Sequence, residues 1–188
     1  EIDVRSAPLY KDGINFIPCS DNVKDVMKID MNDLKKHMER LAEDFSYDYI
    51  ILDSAPGLGR EALSTLKTCD DIIFITTPTI PNVADVTRCA EVANQLGKKR
   101  FNIVLNMVRG KDFELKVDDA QNFFSIPVLG TIPFDENVMD STAQGIPYLF
   151  YRENSKTSDS FMNIAASLIG IECKKKSRFG FLRRIFGR

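Results

Sequence analysis

The run Tyr49-Ile50-Ile51-Leu52 leads into a carboxylate at Asp53, and a loop of small residues follows, Ser54-Ala55-Pro56-Gly57-Leu58-Gly59. Gly57 and Gly59 allow the backbone to turn sharply and bring its N–H groups close to an anion. A continuous apolar run bounded by turn residues reads as a strand buried on both faces of a parallel sheet. Asp53 then stands at the carboxyl end of that strand, in the crevice where open α/β sheets bind ligands. The alternative reading is an acidic N-cap followed by an ordinary strand-to-helix loop. Other reactive residue types form no such constellation. His37, the only histidine, lies in a charged helical stretch and reads as a surface residue. Cys19, Cys69, Cys89 and Cys173 are scattered, with no C-x-x-C pair, and read as reduced, mostly buried thiols of a cytosolic protein.

Several elements must position that loop. Gly13–Pro18 reads as a short strand stopped by proline. Met31, Leu34, Met38, Leu41, Ala42 and Phe45 recur at helical spacing, which predicts an amphipathic helix over about 30–45, capped by Asp30 or Asn32. After the strand at 49–53 come a short helix (about 60–67), a strand (71–77) and a helix (about 82–96) that Gly97 closes in the left-handed conformation. A strand at 101–108, a more polar helix (about 113–124) and a last strand at 127–133 follow. A short helix to about Gln144 and a packed helix over about 158–169 complete the body. Strands alternating with helices at this spacing predict a doubly wound, mostly parallel α/β sheet with helices on both faces. The expected domains are an α/β domain over 1–170 and a tail over 171–188.

At 188 residues, with 44% hydrophobic and 28% charged residues, the chain suits a soluble domain with a sizeable core. The net charge of −2 hides an asymmetry. Residues 174–188 carry seven of the 25 Lys and Arg residues and no acid, so the rest has 18 basic against 27 acidic residues. In this tail Lys174, Lys175, Lys176, Arg178, Arg183, Arg184 and Arg188 surround Phe179, Phe181, Leu182, Ile185 and Phe186. On a helix, Phe179, Leu182, Ile185 and Phe186 share one face, with Phe181 at its border, a pattern that inserts in the plane of an anionic leaflet. Nucleic-acid binding is the rival, since basic charge also suits phosphates. Five large apolar residues in eight argue against a solvated nucleic-acid arm, and seven cations without an acid argue against a docked structural helix. No apolar run approaches the roughly 20 residues that span a bilayer.

Four segments now occur in one order: Asp53–Gly59, Thr77-Pro78-Thr79-Ile80-Pro81, Leu105-Asn106-Met107-Val108-Arg109, and Val128-Leu129-Gly130-Thr131-Ile132-Pro133-Phe134-Asp135 continued by Val138, Ala143, Gly145 and Pro147. Together they resemble the MinD/ParA class of P-loop ATPases, over essentially the whole chain. The resemblance implies that Asp53 is the Walker B carboxylate holding Mg²⁺ through water. It implies that the Gly57 N–H senses the γ-phosphate of ATP. Asn106 reads the adenine edge, and the Pro133–Asp135 loop, with Phe134, closes over the base. An amide has the paired donor and acceptor an adenine edge requires, and a hard cation bound to phosphate wants few carboxylates and several waters. The other reading of Asn106 is a strand-end residue that satisfies loop backbone.

The tail resembles the C-terminal membrane-targeting helix of the MinD branch. The family then implies an Mg·ATP-driven homodimer at an anionic membrane, peripheral on the inner face of the cell membrane, meeting a protein regulator and placing the division site. A related flagellar or chromosome-partition ATPase, or a degenerate scaffold without catalysis, are the alternatives. One departure stands out. No G-x-x-x-x-G-K-[ST] occurs in the 188 residues, so the loop that grips phosphates and the hydroxyl that ligates Mg²⁺ are not in this chain. With Glu1 in place of an initiating Met, the expectation is a later portion of a longer ATPase. Alone it should bind ATP weakly or not at all, hydrolyse none and be prone to aggregate through uncovered sheet edges.

Overall fold

The structure, a computed structural model, describes residues 9–11, 13–18 and 33–171. The basic tail, the expected caps Asp30 and Asn32, and Cys19 and Cys173 lie outside the described residues. The chain divides into two compact units, with the boundary between Asp70 and Asp71.

In the first unit β1 (Leu9–Lys11) and β2 (Ile14–Phe16) form an antiparallel hairpin with Leu9 opposite Phe16. The strand expected near Gly13–Pro18 therefore exists, in a two-stranded antiparallel ribbon. Helix α1 (Leu34–Phe45) buries Leu41 and ends at Ser46, whose N–H reaches the Ala42 carbonyl from a left-handed conformation. It packs against α2 (Arg60–Thr68), which buries Ala62. His37 is exposed, as its charged surroundings suggested.

The strand expected at 49–53 is not formed. Ile51 is 90% exposed, Tyr49 and Ile50 are exposed too, and no residue of the segment is in a ladder. Apolar composition favours a strand only where neighbouring strands take up the backbone N–H and C=O groups and cover the side chains. Among the described residues this segment has no such neighbour, so Asp53 ends a stretch without regular secondary structure.

The second unit holds the parallel sheet. Strand β3 (Ile72–Thr76) pairs with β4 (Phe101–Val108), and β4 with β5 (Val128–Pro133). Helix α3 (Ile80–Gln95) joins the first pair. Its C-terminus is a Schellman closure: Gly97 at φ 82° donates to the Asn94 carbonyl, and Lys98 to that of Ala93. Helix α4 (Val117–Phe124) joins the second pair. Val83, Val86 and Ala90 of α3, Ala120 of α4 and Ile103 and Leu105 of β4 make one buried cluster with Ile126.

The register carries one extra residue in β5 between Val128 and Gly130, and one in β4 between Leu105 and Val108. Such bulges reverse which face each later side chain meets. Val128 thus joins the α3–α4 cluster, whereas Gly130 lies under Ile164 of α7 (Lys156–Leu168). Helices α5 (Asn137–Ala143) and α6 (Tyr148–Tyr151) fill the connection from β5 to α7. The α/β architecture with a parallel sheet covered by helices on both faces is therefore present in this unit. Among the described residues no helix is long and apolar enough to cross a membrane.

Candidate functional site

Both strands that carry predicted base-binding residues end at the same carboxyl edge of the second unit. Asn106 sits at the β4 bulge. Its Oδ1 accepts the Met107 N–H at 2.9 Å, and Met107 takes φ 57°, a left-handed conformation that costs a side-chain-bearing residue roughly 1–2 kcal/mol. Part of the backbone-satisfying reading is thus realised. Among the described residues no hydrogen bond engages the amide Nδ2, and Oδ1 keeps a second lone pair.

The β5 end is tied to the β4 end: Phe134 N–H donates to the Val108 carbonyl at 2.9 Å. The Arg109 guanidinium carbon then lies over the Phe134 ring, 3.8 Å from its centroid. A planar cation on an aromatic face is a stable pair. It leaves a flat, cationic outer surface beside Asn106's strand.

Asp135 is engaged on all sides. One carboxylate oxygen accepts the Asn137 backbone N–H at 3.0 Å together with the Asn137 side-chain amide. The other accepts the Tyr148 hydroxyl and the Thr157 hydroxyl, the latter at 3.0 Å. The Tyr148 hydrogen bond foremost, then those from Asn137 and Thr157, hold the carboxyl well below the usual carboxylate range against the opposing effect of burial. Tyr148 also reaches Ser155 at 3.2 Å, and Ser155 caps α7 by accepting the Ser158 N–H at 3.0 Å. The aspartate therefore fixes the β5–α5 loop to α6 and to the start of α7.

Residues 109–116 follow β4 as a loop, so α4 begins at Val117, later than its sequence pattern indicated. Glu114 explains the delay. Its carboxylate accepts the backbone N–H groups of Arg109 (3.0 Å to each oxygen), Gly110 (2.7 Å) and Lys111 (3.1 Å). Burial pushes the Glu114 pKa up, but these amides and the Arg109 charge outweigh it, and the net shift is downward. Neither Glu114 nor the partners Tyr148 and Thr157 were singled out from the sequence. A glycine flanked by two cations with a glutamate four residues on, Arg109-Gly110-Lys111-Asp112-Phe113-Glu114, is the signal that could have found the first.

Asp53 and Gly57 belong to the first unit. Asp53 is exposed, and Gly57 takes φ 81° with open space around it. Gly59 has an ordinary φ of −65° as the N-cap residue of α2, so only Gly57 requires the conformational freedom of glycine. Among the described residues no three His, Cys, Asp or Glu side chains are grouped to hold a metal. Cys69 and Cys89 are half-buried thiols, and Cys69 Sγ donates to the Leu66 carbonyl at 3.7 Å; burial first, then Asp85, raises the Cys89 pKa against the pull of Arg88.

Comparison with known proteins identifies the family and the fold. A family model described as ParA, NUBPL iron-transfer P-loop NTPase, matches residues 29–169. An ATP-binding protein of Methanocaldococcus jannaschii is 31% identical over 186 residues, covering 98% of this chain and 70% of the relative. The septum site-determining protein MinD of Thermotoga maritima is 29% identical over 149 residues, 76% of this chain and 54% of the relative. Among solved structures, the cell division ATPase MinD of Pyrococcus furiosus superposes with a TM-score of 0.83 at 24% identity, covering 89% of this chain and 71% of that one. MinD of Pyrococcus horikoshii, solved with Mg-ADP, gives 0.81 at 24% identity, with 88% and 68% covered. At these identities the structures establish a shared fold, and the family rests on the sequence matches. The chain belongs to the ParA/MinD family of P-loop NTPases.

Proposed function

We propose that this chain is the adenine-reading and membrane-binding portion of a MinD-like regulator of the division site, cycling between an ATP-bound dimer on the membrane and a released monomer. The observation that carries the reading is the gathering of Asn106, Arg109 and the Pro133–Asp135 loop at one carboxyl edge of a parallel sheet. Asn106 would pair with the adenine edge through Nδ2 and the remaining lone pair of Oδ1. Pro133 and Phe134 would cover the base, and Asp135 would hold their loop in shape through Asn137, Tyr148 and Thr157.

In the first unit the exposed Asp53 carboxylate precedes the loop whose left-handed Gly57 can turn its N–H toward a γ-phosphate. One free carboxylate suits Mg²⁺ held through water, because that ion keeps several waters and takes other ligands from phosphate; it does not suit a cation that needs a full protein cage. When bound with ATP, Mg²⁺ supplies neutralisation of phosphate charge. The tail from Lys174 would provide the anionic-membrane contact, with avidity from pairing two tails in a dimer. On this reading the protein would work on the inner face of the cell membrane, where it would meet a protein partner of the positioning machinery.

With no lysine-bearing phosphate loop in its 188 residues, the chain should bind ATP weakly and hydrolyse none. A backbone NMR titration with millimolar ATP tests the base site. Weak saturable shifts centred on Asn106, Arg109 and Phe134, lost in Asn106→Ala, are expected. Shifts confined to other surfaces would sink the reading.

A further inference from the structure

We infer that Glu114 is a positioning residue for base binding: it clamps the loop after β4 and so holds Arg109 over Phe134. The inference rests on the base-site reading above and adds to it a residue with no direct contact to the base.

Three fixed points define the geometry. The Phe134 N–H bonded to Val108 sets the ring beside the end of β4, one residue before Arg109. The Leu115 N–H donates to the Pro78 carbonyl at 2.9 Å, tying the far end of the loop to the segment that follows β3. Between them the three consecutive amides of Arg109, Gly110 and Lys111 converge on the Glu114 carboxylate. Gly110 at φ 69° turns these N–H groups to one side, forming an anion-binding nest. The chain's own carboxylate fills it, so the nest serves as a clamp.

An exposed arginine has many rotamers, and ordering it for a ligand costs conformational entropy. Fixing its backbone beside Phe134 removes part of that cost in advance. The outer guanidinium face then offers a stacking surface to an aromatic base, tolerant of base identity because every base has a π-face. Glu114 should accordingly govern how tightly the base is held. Which base is held should depend on Asn106.

Adenosine, which carries no phosphate, is the probe, titrated by NMR into the 188-residue chain and its variants. Glu114→Ala should weaken adenosine about fivefold, as should Arg109→Ala. The double variant should be no weaker than Arg109→Ala alone, since both act through one guanidinium. Glu114→Gln, which keeps one acceptor oxygen, should recover part of the loss; this rescue and the non-additivity are not expected of a general loss of stability. If Glu114→Ala and Glu114→Gln keep the parental affinity while Asn106→Ala loses it, the clamp is refuted and the base site stands. Additive losses at Glu114 and Arg109 refute the clamp as well. If the parent binds no adenosine, or Asn106→Ala binds it unchanged, both readings fall.

Discussion

Asp135 accepts four hydrogen bonds from three side chains and one backbone amide, and its ionised form is the one the fold uses. Its native pKa lies below the unfolded value of about 3.9, so the native state binds fewer protons there. The stabilisation is complete above about pH 5 and is lost as pH falls through the native value. Asp135→Asn should lower stability at pH 7 by roughly 2 kcal/mol, the scale of hydrogen bonds to a charged group. Thermal melts from pH 7 down to pH 2 should show the gap to the parent closing toward acid, and a constant gap would contradict the assignment. The places of Asn106 and Asp135 at the ends of β4 and β5 were legible in the sequence because both lie in ordered motifs. Glu114, Tyr148 and Thr157 were not, because their partners are backbone amides or residues far along the chain.

At the scale of elements, β4, β5 and α3 were readable because apolar period, proline stops and the Gly97 closure agreed. The strand at 49–53 was misread because its composition specifies a buried run, whereas a strand also needs pairing partners. The two bulges could not be read from composition, since only the pairing register reveals an extra residue. One close approach depends on them. A Cβ at Gly130 would stand 2.5 Å from Ile164 Cγ1 and 3.2 Å from Cδ1, so Gly130→Ala must displace the Ile164 side chain or the helix that carries it. Overpacking of this kind costs about 1–3 kcal/mol. Urea unfolding should show a lower midpoint with unchanged slope, partly restored by adding Ile164→Ala. An unchanged midpoint would mean that α7 does not lie on β5 as described.

For the molecule as a whole, an acidic body joined to a basic, phenylalanine-rich tail argues for attachment to an anionic surface. Each cation near such a leaflet contributes about 1 kcal/mol. Phe181→Glu with Leu182→Glu should abolish co-sedimentation with anionic liposomes, and unchanged binding would refute the tail's role. Among the described residues β3 pairs with β4 alone, and Ile73 and Ile75 are exposed on it. The central claim, that the carboxyl edge of the second unit receives an adenine base, is tested most directly by photolabelling with an 8-azido-adenine nucleotide and mapping the modified peptides. Label within 106–109 and 133–135 that excess ATP suppresses is the predicted result. Label only elsewhere, or label that ATP does not suppress, would contradict it.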